Sequence, residues 1–424
     1  MTGPERSSGL EGGEGGPRVP EGDTAGGSAG QGALTRSILA EIRAQGPMPF
    51  VRFMELALYH PRLGYYCRRR EEGNGSPVGW RGDFFTSPSL GPLFGTTLAR
   101  FFCQLWREWR KPRPFWLIEA GPGPGWLACD VLRGMADCEK AAVRATRLGL
   151  VEAGPQPQAQ ARVAEAARQV GLGQEPVWAR SLGRLAKAWG WDSGGPAPTA
   201  VLYANELLDA FPVHRVRRGR RGLEEAYVDA VPLGRAGRRT DGHPHPFRWR
   251  WGPPSTPALE AYLAWQGIRL RLWQEAEINL AALAWLQELD QVLGQGKACA
   301  LLIDYGYLAR DLVDPTRRRG TLLAYYRHQA SEDVLADPGG RDLTAHVDFS
   351  ALMRKAQDLG WQVREFTSQG RFLVQQGIVE EAQRMAAGAG QSEEERRATA
   401  QALRQLVEPA GLGQTFRVLA LQKG

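Results

Sequence analysis

The stretch Phe115-Trp-Leu-Ile-Glu-Ala-Gly-Pro-Gly-Pro-Gly125 joins a short apolar run to an acidic residue and three glycines at alternate positions. A continuous apolar run that ends in a turn is typical of a strand buried on both faces of a parallel sheet. Glycines after such a strand let a bound nucleoside approach the backbone, where a Cβ atom would clash, and lead into a helix N-terminus. The stretch therefore predicts an α/β fold with its ligand at the strand end.

Three more apolar runs show the same pattern, each ending in polar or acidic residues: Leu148–Val151, Ala200–Tyr203 and Ala300–Ile303. Helical patterns lie between the runs, at Leu127–Met135, Ala159–Val170 and Leu259–Leu293. This alternation predicts a doubly wound sheet with helices on both faces and a ligand site at the carboxyl ends of the strands. The segment Gln414–Leu421 alternates as a closing strand, and Trp361–Phe366 is its expected partner.

The chain of 424 residues begins with a segment that is too rich in glycine to form a core: residues 1–32 hold 11 glycines. We expect residues 1–33 to be a disordered tail. A helical N-terminal region is predicted over residues 34–110, and the core domain over residues 111–424. About 100 residues separate the third and fourth apolar runs, and within them we expect residues 213–257 to be an insertion that shapes substrate access.

The charge balance is 53 Lys and Arg against 46 Asp and Glu, a net charge of +7. Because these cations are spread along the chain, their excess does not predict nucleic-acid binding. No apolar run reaches the 18 residues that suggest a membrane span. The chain also lacks a signal-peptide or transit-peptide pattern, and its five cysteines show no CxxC spacing, so we expect a cytoplasmic protein with reduced cysteines.

The glycine turn can be compared with the binding patterns of two cofactors, and it matches one of them better than the other. Gly123-x-Gly125-x-x-Ala128 satisfies the dinucleotide pattern G-x-G-x-x-A, but its first glycine lies five residues beyond the last apolar residue of the strand. The alternative pattern, E-x-G-x-G-x-G, starts at Glu119 and resembles motif I of class I S-adenosylmethionine (SAM) methyltransferases. Glu152 ends the second strand, where its carboxylate could bind ribose hydroxyls of either cofactor or lie at the N-terminus of the next helix.

The third strand ends in Asn205-Glu206-Leu-Leu-Asp209, with two carboxylates three residues apart. On a helical turn they would share one face and could hold a guanidinium through paired hydrogen bonds. Equally, Asn205 could cap a helix after the strand, with Glu206 beside its dipole. His346 lies in the polar segment Asp342–Phe349 and is a candidate for proton transfer or for a structural role. No metal-ligand pattern occurs, and we expect no metal.

Several blocks resemble one family when read in order: Gly64-Tyr-Tyr66, Gly82–Pro88, Asn205–His214, Asp304-Tyr-Gly306 and Asp342–Phe349. Together with the glycine turn, they are similar to the MidA family of SAM-dependent methyltransferase-like proteins, relatives of the mitochondrial complex I assembly-factor arginine methyltransferase. The resemblance implies a class I methyltransferase (Rossmann-like) doubly wound sheet with a helical N-terminal region and an insertion between the third and fourth core strands.

The resemblance also implies roles for named residues. The cofactor would be SAM, held by Glu119, Gly121, Gly123, Gly125 and Glu152. The substrate side would comprise Asp83, Phe84, Thr86, Ser87, Asn205 and His346. We assign catalysis to Glu206 and Asp209, which would orient a guanidinium and assist the loss of its proton.

The sequence thus predicts a SAM-dependent methyltransferase that modifies an arginine side chain of a protein. Although the cations are spread along the chain, local excesses of arginine occur at Arg68–Arg70, Arg215–Arg250 and Arg317–Arg319, and two of these segments flank or lie in the parts expected to shape substrate access. We therefore expect an acidic-surfaced acceptor, such as a respiratory-complex subunit, and neither a nucleic acid nor a membrane. Two alternatives stay open: a SAM-binding assembly chaperone with little turnover, and a nicotinamide-dependent oxidoreductase.

Overall fold

The computed structural model describes residues 27–68, 86–191, 197–231, 245–388 and 390–424. Residues 1–26, which make up most of the predicted tail, lie outside the described residues. The helices are α1 Gly27–Gln45, α2 Phe50–Tyr59, α3 Leu93–Glu108, α4 Trp126–Cys138, α5 Lys140–Ala145, α6 Pro157–Val170, α7 Leu182–Ala188, α8 Ala258–Gln266, α9 Leu280–Leu293, α10 Ala309–Leu312, α11 Phe349–Asp358, α12 Gln369–Gln375, α13 Ile378–Ala386, α14 Glu393–Val407 and α15 Leu412–Thr415.

The strands are β1 Met48–Pro49, β2 Phe115–Ala120, β3 Thr146–Val151, β4 Val177–Ala179, β5 Thr199–Asn205, β6 His214–Arg218, β7 Leu223–Ala230, β8 Phe247–Gly252, β9 Glu275–Ile278, β10 Lys297–Tyr307, β11 Leu323–Tyr326, β12 Gln329–Ser331, β13 Asp342–Thr344, β14 Val347–Asp348, β15 Gln362–Ser368 and β16 Phe416–Lys423. The four apolar runs of the sequence are β2, β3, β5 and β10, as predicted. The sequence reading missed β4, which is only three residues long.

The central sheet has the strand order β15-β16-β10-β5-β2-β3-β4. Strands β4, β3, β2, β5 and β10 are mutually parallel, whereas β16 is antiparallel to both β10 and β15. The predicted doubly wound fold and the predicted pairing of the last two strands are therefore confirmed. Because β2 starts one half of the sheet and β5 the other, the strand order reverses between them, and a crevice forms at their carboxyl ends.

The core strands are apolar because helices cover both of their faces. In β5, Val201 and Tyr203 point toward the layer that contains α3, α4 and α6. Leu202 and Ala204 point toward the opposite layer, which contains α7, α9 and α11. This alternation within one apolar run places buried side chains in two separate cores.

The insertion after β5 is larger than predicted. Its strands β6 to β9 form a second sheet together with β1 from the N-terminal region, in the order β1-β7-β6-β9 with β8 paired to β7. The inserted sheet therefore extends beyond residue 257 to Ile278. The predicted helix over Leu259–Leu293 is wrong, since α8 and α9 are separate and β9 lies between them. Gly267 ends α8 in a left-handed conformation, and the Asn279 side chain caps α9 by accepting the Ala282 N–H bond.

The N-terminal region packs against this inserted sheet. Helix α1 begins at Gly27, so the predicted disordered tail over residues 1–33 is wrong for its last seven residues, which contain no proline to prevent a helical backbone. Strand β1 pairs with β7, and α2 covers the sheet through an aromatic contact of 5.1 Å between the Phe50 and Trp249 ring centroids. The front of the chain and the insertion therefore form one layer over the sheet's carboxyl edge.

A third, small sheet has the order β12-β11-β13, and its buried residues share a hydrophobic cluster with α1 and α2.

All five cysteines carry free thiols, as predicted. Within the described part of the chain, no helix is both long and apolar enough to cross a membrane.

Helices α3 and α4 approach each other closely at Gly134. A Cβ atom at this position would lie 2.7 Å from the Thr96 Cα atom and 2.8 Å from the Ala99 Cβ atom. We predict that Gly134→Ala lowers the free energy of unfolding by about 1–3 kcal/mol, since the helices must separate to admit the methyl group.

Gly183→Ala is the matched control, because Gly183 is exposed on α7 and its added Cβ would meet nothing closer than 3.6 Å. This exchange should raise stability by up to about 1 kcal/mol through helix propensity. Urea unfolding measures both variants, and equal stability of the Gly134→Ala variant and the parent would contradict the packing.

Candidate functional site

A cavity of about 1960 Å³ opens at the carboxyl ends of the parallel strands. It reaches from the glycine turn after β2 to the loops after β3, β5 and β10, and its far wall comes from α2 and from the β11–β13 sheet. Pockets for one small molecule usually measure about 300–1,000 Å³. The cavity therefore has room for a nucleoside cofactor together with a second side chain.

The glycine turn has the backbone that its sequence predicts. Gly121, Gly123 and Gly125 all have positive φ, at 73°, 48° and 76°. A Cβ atom on Gly123 would meet nothing within 4 Å, because that side of the turn faces the cavity. At Gly125, a Cβ atom would lie 2.8 Å from Val163 on α6, so this glycine is required by packing. The turn thus leaves space for a ligand over Gly123 and closes tightly beneath it.

Acidic side chains lie on either side of this turn. Glu119 is buried and accepts a hydrogen bond of 3.0 Å from the Tyr203 hydroxyl group, and its burial raises its pKa to about 8. Glu152 accepts hydrogen bonds from the N–H groups of Gly123 and Gly154, at 3.1 and 3.4 Å. Burial raises the Glu152 pKa as well. The residue that caps α6 is Gln156, so the helix-terminus interpretation of Glu152 is not supported.

The loop after β5 is not helical, so two expectations are wrong: the capping role considered for Asn205, and the helical turn on which Glu206 and Asp209 would share one face. Glu206 takes a left-handed backbone conformation with φ of 52°, which is uncommon for a residue with a side chain. Its carboxylate accepts hydrogen bonds from the Asn205 side-chain amide, at 2.9 Å, and from the Ser87 N–H group. The bend turns Glu206 into the cavity, where partial burial raises its pKa to about 8.

Asp209 lies on the same loop and is fixed from two sides. Its Oδ2 atom accepts a short hydrogen bond of 2.5 Å from the Tyr305 hydroxyl group. Asp304, at the end of β10, accepts the N–H groups of Leu208 and Asp209, at 2.9 and 3.3 Å. Burial raises the pKa of Asp209 to about 6 and that of Asp304 well above its usual range.

Two buried oxygen atoms in this acidic cluster accept no hydrogen bond from the described residues. Among the described residues, neither Asp209 Oδ1 nor Asn205 Oδ1 has a hydrogen-bond partner. Within the same residues, no Lys or Arg forms a salt bridge with Glu206, Asp209 or Asp304. A buried acceptor oxygen without a donor, such as Asp209 Oδ1, is costly, so this floor of the cavity is suited to a ligand that is positively charged and rich in N–H groups.

Tyrosines that the sequence reading did not assign to the site form part of its wall. The Tyr66 hydroxyl group donates to Asp342 Oδ1 at 2.8 Å, and the Tyr59 hydroxyl group donates to the Ala210 carbonyl oxygen at 3.1 Å. Both side chains line the cavity. The signal for Tyr66 was present in the sequence block Gly64-Tyr-Tyr66, but only the fold shows that this block reaches the strand ends. Tyr59 lies outside the blocks quoted from the sequence.

Only some of the predicted substrate-side residues line the cavity. Thr86 and His346 line the cavity, whereas Ser87 lies behind Glu206, where its hydroxyl group donates to Gln369 Oε1 at 3.0 Å. Asp83 and Phe84 lie outside the described residues.

The His346 ring lies against the rings of Tyr305 and Tyr307, with centroids 5.3 and 5.2 Å away. Burial lowers the His346 pKa to about 4. His346 is therefore a neutral imidazole at physiological pH, although its N–H position is not fixed by the geometry.

The strand order and the glycine turn define the class of the protein. A doubly wound dinucleotide fold has the order 3-2-1-4-5-6 with a mostly parallel sheet. Here the antiparallel strand β16 lies between β10 and β15, which is the arrangement of class I SAM-dependent methyltransferases. This sheet therefore argues against the nicotinamide-dependent oxidoreductase that the sequence left open as an alternative function.

Comparison with known proteins gives the family. The family model described as an S-adenosyl-L-methionine-dependent methyltransferase matches residues 97–367, more than half of the chain. The chain belongs to this methyltransferase family, and its cofactor is SAM. The resemblance to the MidA family expected from the sequence is thereby confirmed.

Relatives and solved structures agree with this assignment. The chain is 30% identical over 331 residues to the mitochondrial protein arginine methyltransferase NDUFAF7 of Mus musculus, covering 76% of this chain and 70% of the relative. It is 28% identical over 419 residues to the Drosophila melanogaster homolog, covering 93% and 86%. A Burkholderia thailandensis protein solved with bound S-adenosyl-homocysteine is 30% identical, with a TM-score of 0.78 over 96% of this chain and 95% of that one.

The raised pKa of Glu119 makes stability depend on pH. Its ordinary pKa is 4.5 and its folded pKa is about 8, so the folded protein keeps a proton that the unfolded chain loses across this range. Without cofactor, its contribution to stability should fall by up to about 1.4 kcal/mol per unit as the pH rises through this window. In the Glu119→Gln variant, this loss should disappear.

Urea unfolding across this window measures the effect, with Glu394→Gln, an exposed exchange of the same chemistry, as the control. The difference in stability between the Glu119→Gln variant and the parent should grow with pH, whereas the control should follow the parent. Parallel curves for all three proteins would show that Glu119 is ionised in the folded state.

Proposed function

We propose that this protein transfers a methyl group from SAM to the guanidinium group of an arginine in another protein. The observation that carries the proposal is the acidic floor formed by Glu206 and Asp209, which opens into the same cavity as the glycine turn. It is supported by the relatives, which are named protein arginine methyltransferases. A guanidinium has five N–H donors and a permanent charge, so it can donate to the unpartnered Asp209 Oδ1 atom and supply a positive charge that no described Lys or Arg brings to these carboxylates by a salt bridge.

The cofactor fits the first part of the cavity. We propose that it is held by Glu119, Gly121, Gly123, Gly125 and Glu152. The open side of Gly123 leaves room for the sugar, and Glu152 lies at the end of β3, where an acid can accept hydrogen bonds from ribose hydroxyl groups. When bound, SAM supplies a methyl group on a positively charged sulfur, which is open to in-line attack by a nucleophilic nitrogen.

The acidic floor has two tasks toward the acceptor. The carboxylates of Glu206 and Asp209 hold the guanidinium by paired, charge-assisted hydrogen bonds and fix one nitrogen in the attacking orientation. A methylated guanidinium must also lose one proton, because an arginine is protonated at neutral pH. Glu206 is suited to take this proton, because a bound guanidinium favours its charged form and the buried surroundings raise its affinity for a proton.

The fixed geometry around the loop supports this assignment. Asp304 holds the loop backbone, Tyr305 holds one oxygen of Asp209, and Asn205 and Ser87 hold Glu206. The free oxygen of Asp209 is therefore directed by its neighbours and does not need to reorganise when a substrate arrives. His346, a neutral ring beside Tyr305, completes the wall on this side.

The identity of the acceptor is a narrower proposal. We retain an acidic-surfaced protein, such as a respiratory-complex subunit, as our expectation from the arginine-rich segments. In the inserted sheet, Arg215, Arg217 and Arg248 are already paired with glutamate or aspartate, so other arginines would have to attract such a partner. A cytoplasmic location also stays a prediction, and the relatives are named as mitochondrial.

The proposal predicts that Glu206→Gln combined with Asp209→Asn removes arginine methylation while SAM binding persists. The neutral amides keep the shape but cannot take the proton, so we expect a loss of about 100-fold or more. The measurement is the transfer of tritium from methyl-labelled SAM to protein, with the modified residue identified by mass spectrometry.

Glu55→Gln is the matched control, because Glu55 also lines the cavity but lies half-exposed beside Arg52 on α2. It should methylate at nearly the parent rate. Full activity of the double variant would rule out these two residues as the catalytic pair. SAM binding by a parent protein that transfers no methyl group to any protein would favour an assembly chaperone.

A further inference from the structure

The hairpin between β11 and β12 has an unusual tip. Tyr326 pairs with Gln329, so only Arg327 and His328 form the loop. Both have positive φ, at 47° and 62°, as in a type I′ turn. Such turns strongly favour Asn-Gly, because other side chains are strained at these angles. Arg-His is therefore a locally unfavourable sequence for this turn.

Strain alone does not indicate a function. Arg110 and Lys111 also have positive φ, at 63° and 58°, and they lie shortly before β2, at the opposite edge of the central sheet. The hairpin tip differs from this second pair because of what surrounds it.

The hairpin leads from the acidic floor to the cavity rim. Tyr325 lies opposite Asp342 in the pairing of β11 with β13, and both Tyr325 and His328 line the cavity. Burial raises the pKa of Tyr325, and the negative charges of Asp209 and Asp342 raise it further. Strand β11 thus connects the proposed guanidinium site to the turn.

The tip itself is exposed and carries side chains typical of binding surfaces. Tyr326 is 40% exposed, and the Arg327 guanidinium lies 5.2 Å from the centroid of its ring. Tyrosine and arginine are the residues that most often carry binding energy in protein interfaces. His328 is exposed on one side and faces the cavity on the other.

We propose that the hairpin tip, Tyr326–His328, binds the polypeptide that flanks the methylated residue and so determines which protein is the acceptor. The inference rests on the proposed function, since it requires a protein acceptor. A side chain that reaches Glu206 and Asp209 must leave its own backbone at the rim of the cavity, where His328 lies. The strained Arg-His turn is then maintained by substrate recognition, because stability alone would favour Asn-Gly.

The test replaces the tip without breaking the turn. Arg327→Asn combined with His328→Gly should raise the thermal unfolding midpoint, because the strain is relieved. It should also reduce the rate of methyl transfer about tenfold, as expected when an interface loses a dominant contact. Tyr326→Ala, which leaves the turn residues in place, should cause a loss of similar size. Calorimetry should show unchanged binding of S-adenosyl-homocysteine.

Arg110→Asn combined with Lys111→Gly is the matched control, since it relieves the same strain far from the cavity. It should keep the parent rate within about twofold, in line with a surface exchange remote from the site. All variants are incubated with tritiated SAM and a protein extract from cells that lack this gene, and the labelled protein is quantified.

The outcomes separate this inference from the proposed function. Parent-like transfer by the Asn-Gly and Tyr326→Ala variants would overturn the role of the hairpin. A label on a residue other than arginine would overturn the proposed function, while the ratio of variant to parent rates would still decide the role of the hairpin. The absence of any labelled protein with the parent would overturn both.

Discussion

The site depends on one electrostatic constraint: carboxylates gather at the edge of a parallel sheet where no Lys or Arg of the described residues forms a salt bridge with them. Glu206, Asp209 and Asp304 are brought together by the ends of β5 and β10, and burial raises the pKa of each. In the empty protein, burial disfavours the charged form of these carboxylates, whereas a cation bound beside them would favour that form. Hydrogen bonds from the surrounding backbone and side chains hold these acids in place.

The remaining parts of the fold maintain this cluster. The reversal of strand order between β2 and β5 opens the crevice, and the glycine turn keeps its first half free for the cofactor. Helix α2 and the β11–β13 sheet form a wall over the second half, and Tyr59 and Tyr66 on this side reach the acids or their loop. A cavity shared by the two halves has room for the proposed acceptor side chain beside the cofactor.

Much of the central sheet could be predicted from local sequence patterns. The apolar runs and the turn after Ile118 predicted the sheet, since a strand buried on both faces must be continuously apolar. The position of Glu206 could not be predicted, because its left-handed backbone depends on hydrogen bonds from Asn205 and from Ser87, about 120 residues earlier in the chain. Likewise, β9 was hidden within a helical pattern, since its four residues are stabilised by pairing with distant β6.

The central claim is that the acidic floor receives a guanidinium beside the cofactor. A crystal structure of this protein with S-adenosyl-homocysteine and an arginine-containing peptide from the labelled acceptor tests it most directly. We predict that the guanidinium nitrogens lie within hydrogen-bond distance of the Glu206 and Asp209 carboxylates, with one nitrogen facing the cofactor sulfur. A peptide arginine bound elsewhere in the cavity, with these carboxylates still unpaired, would contradict the account.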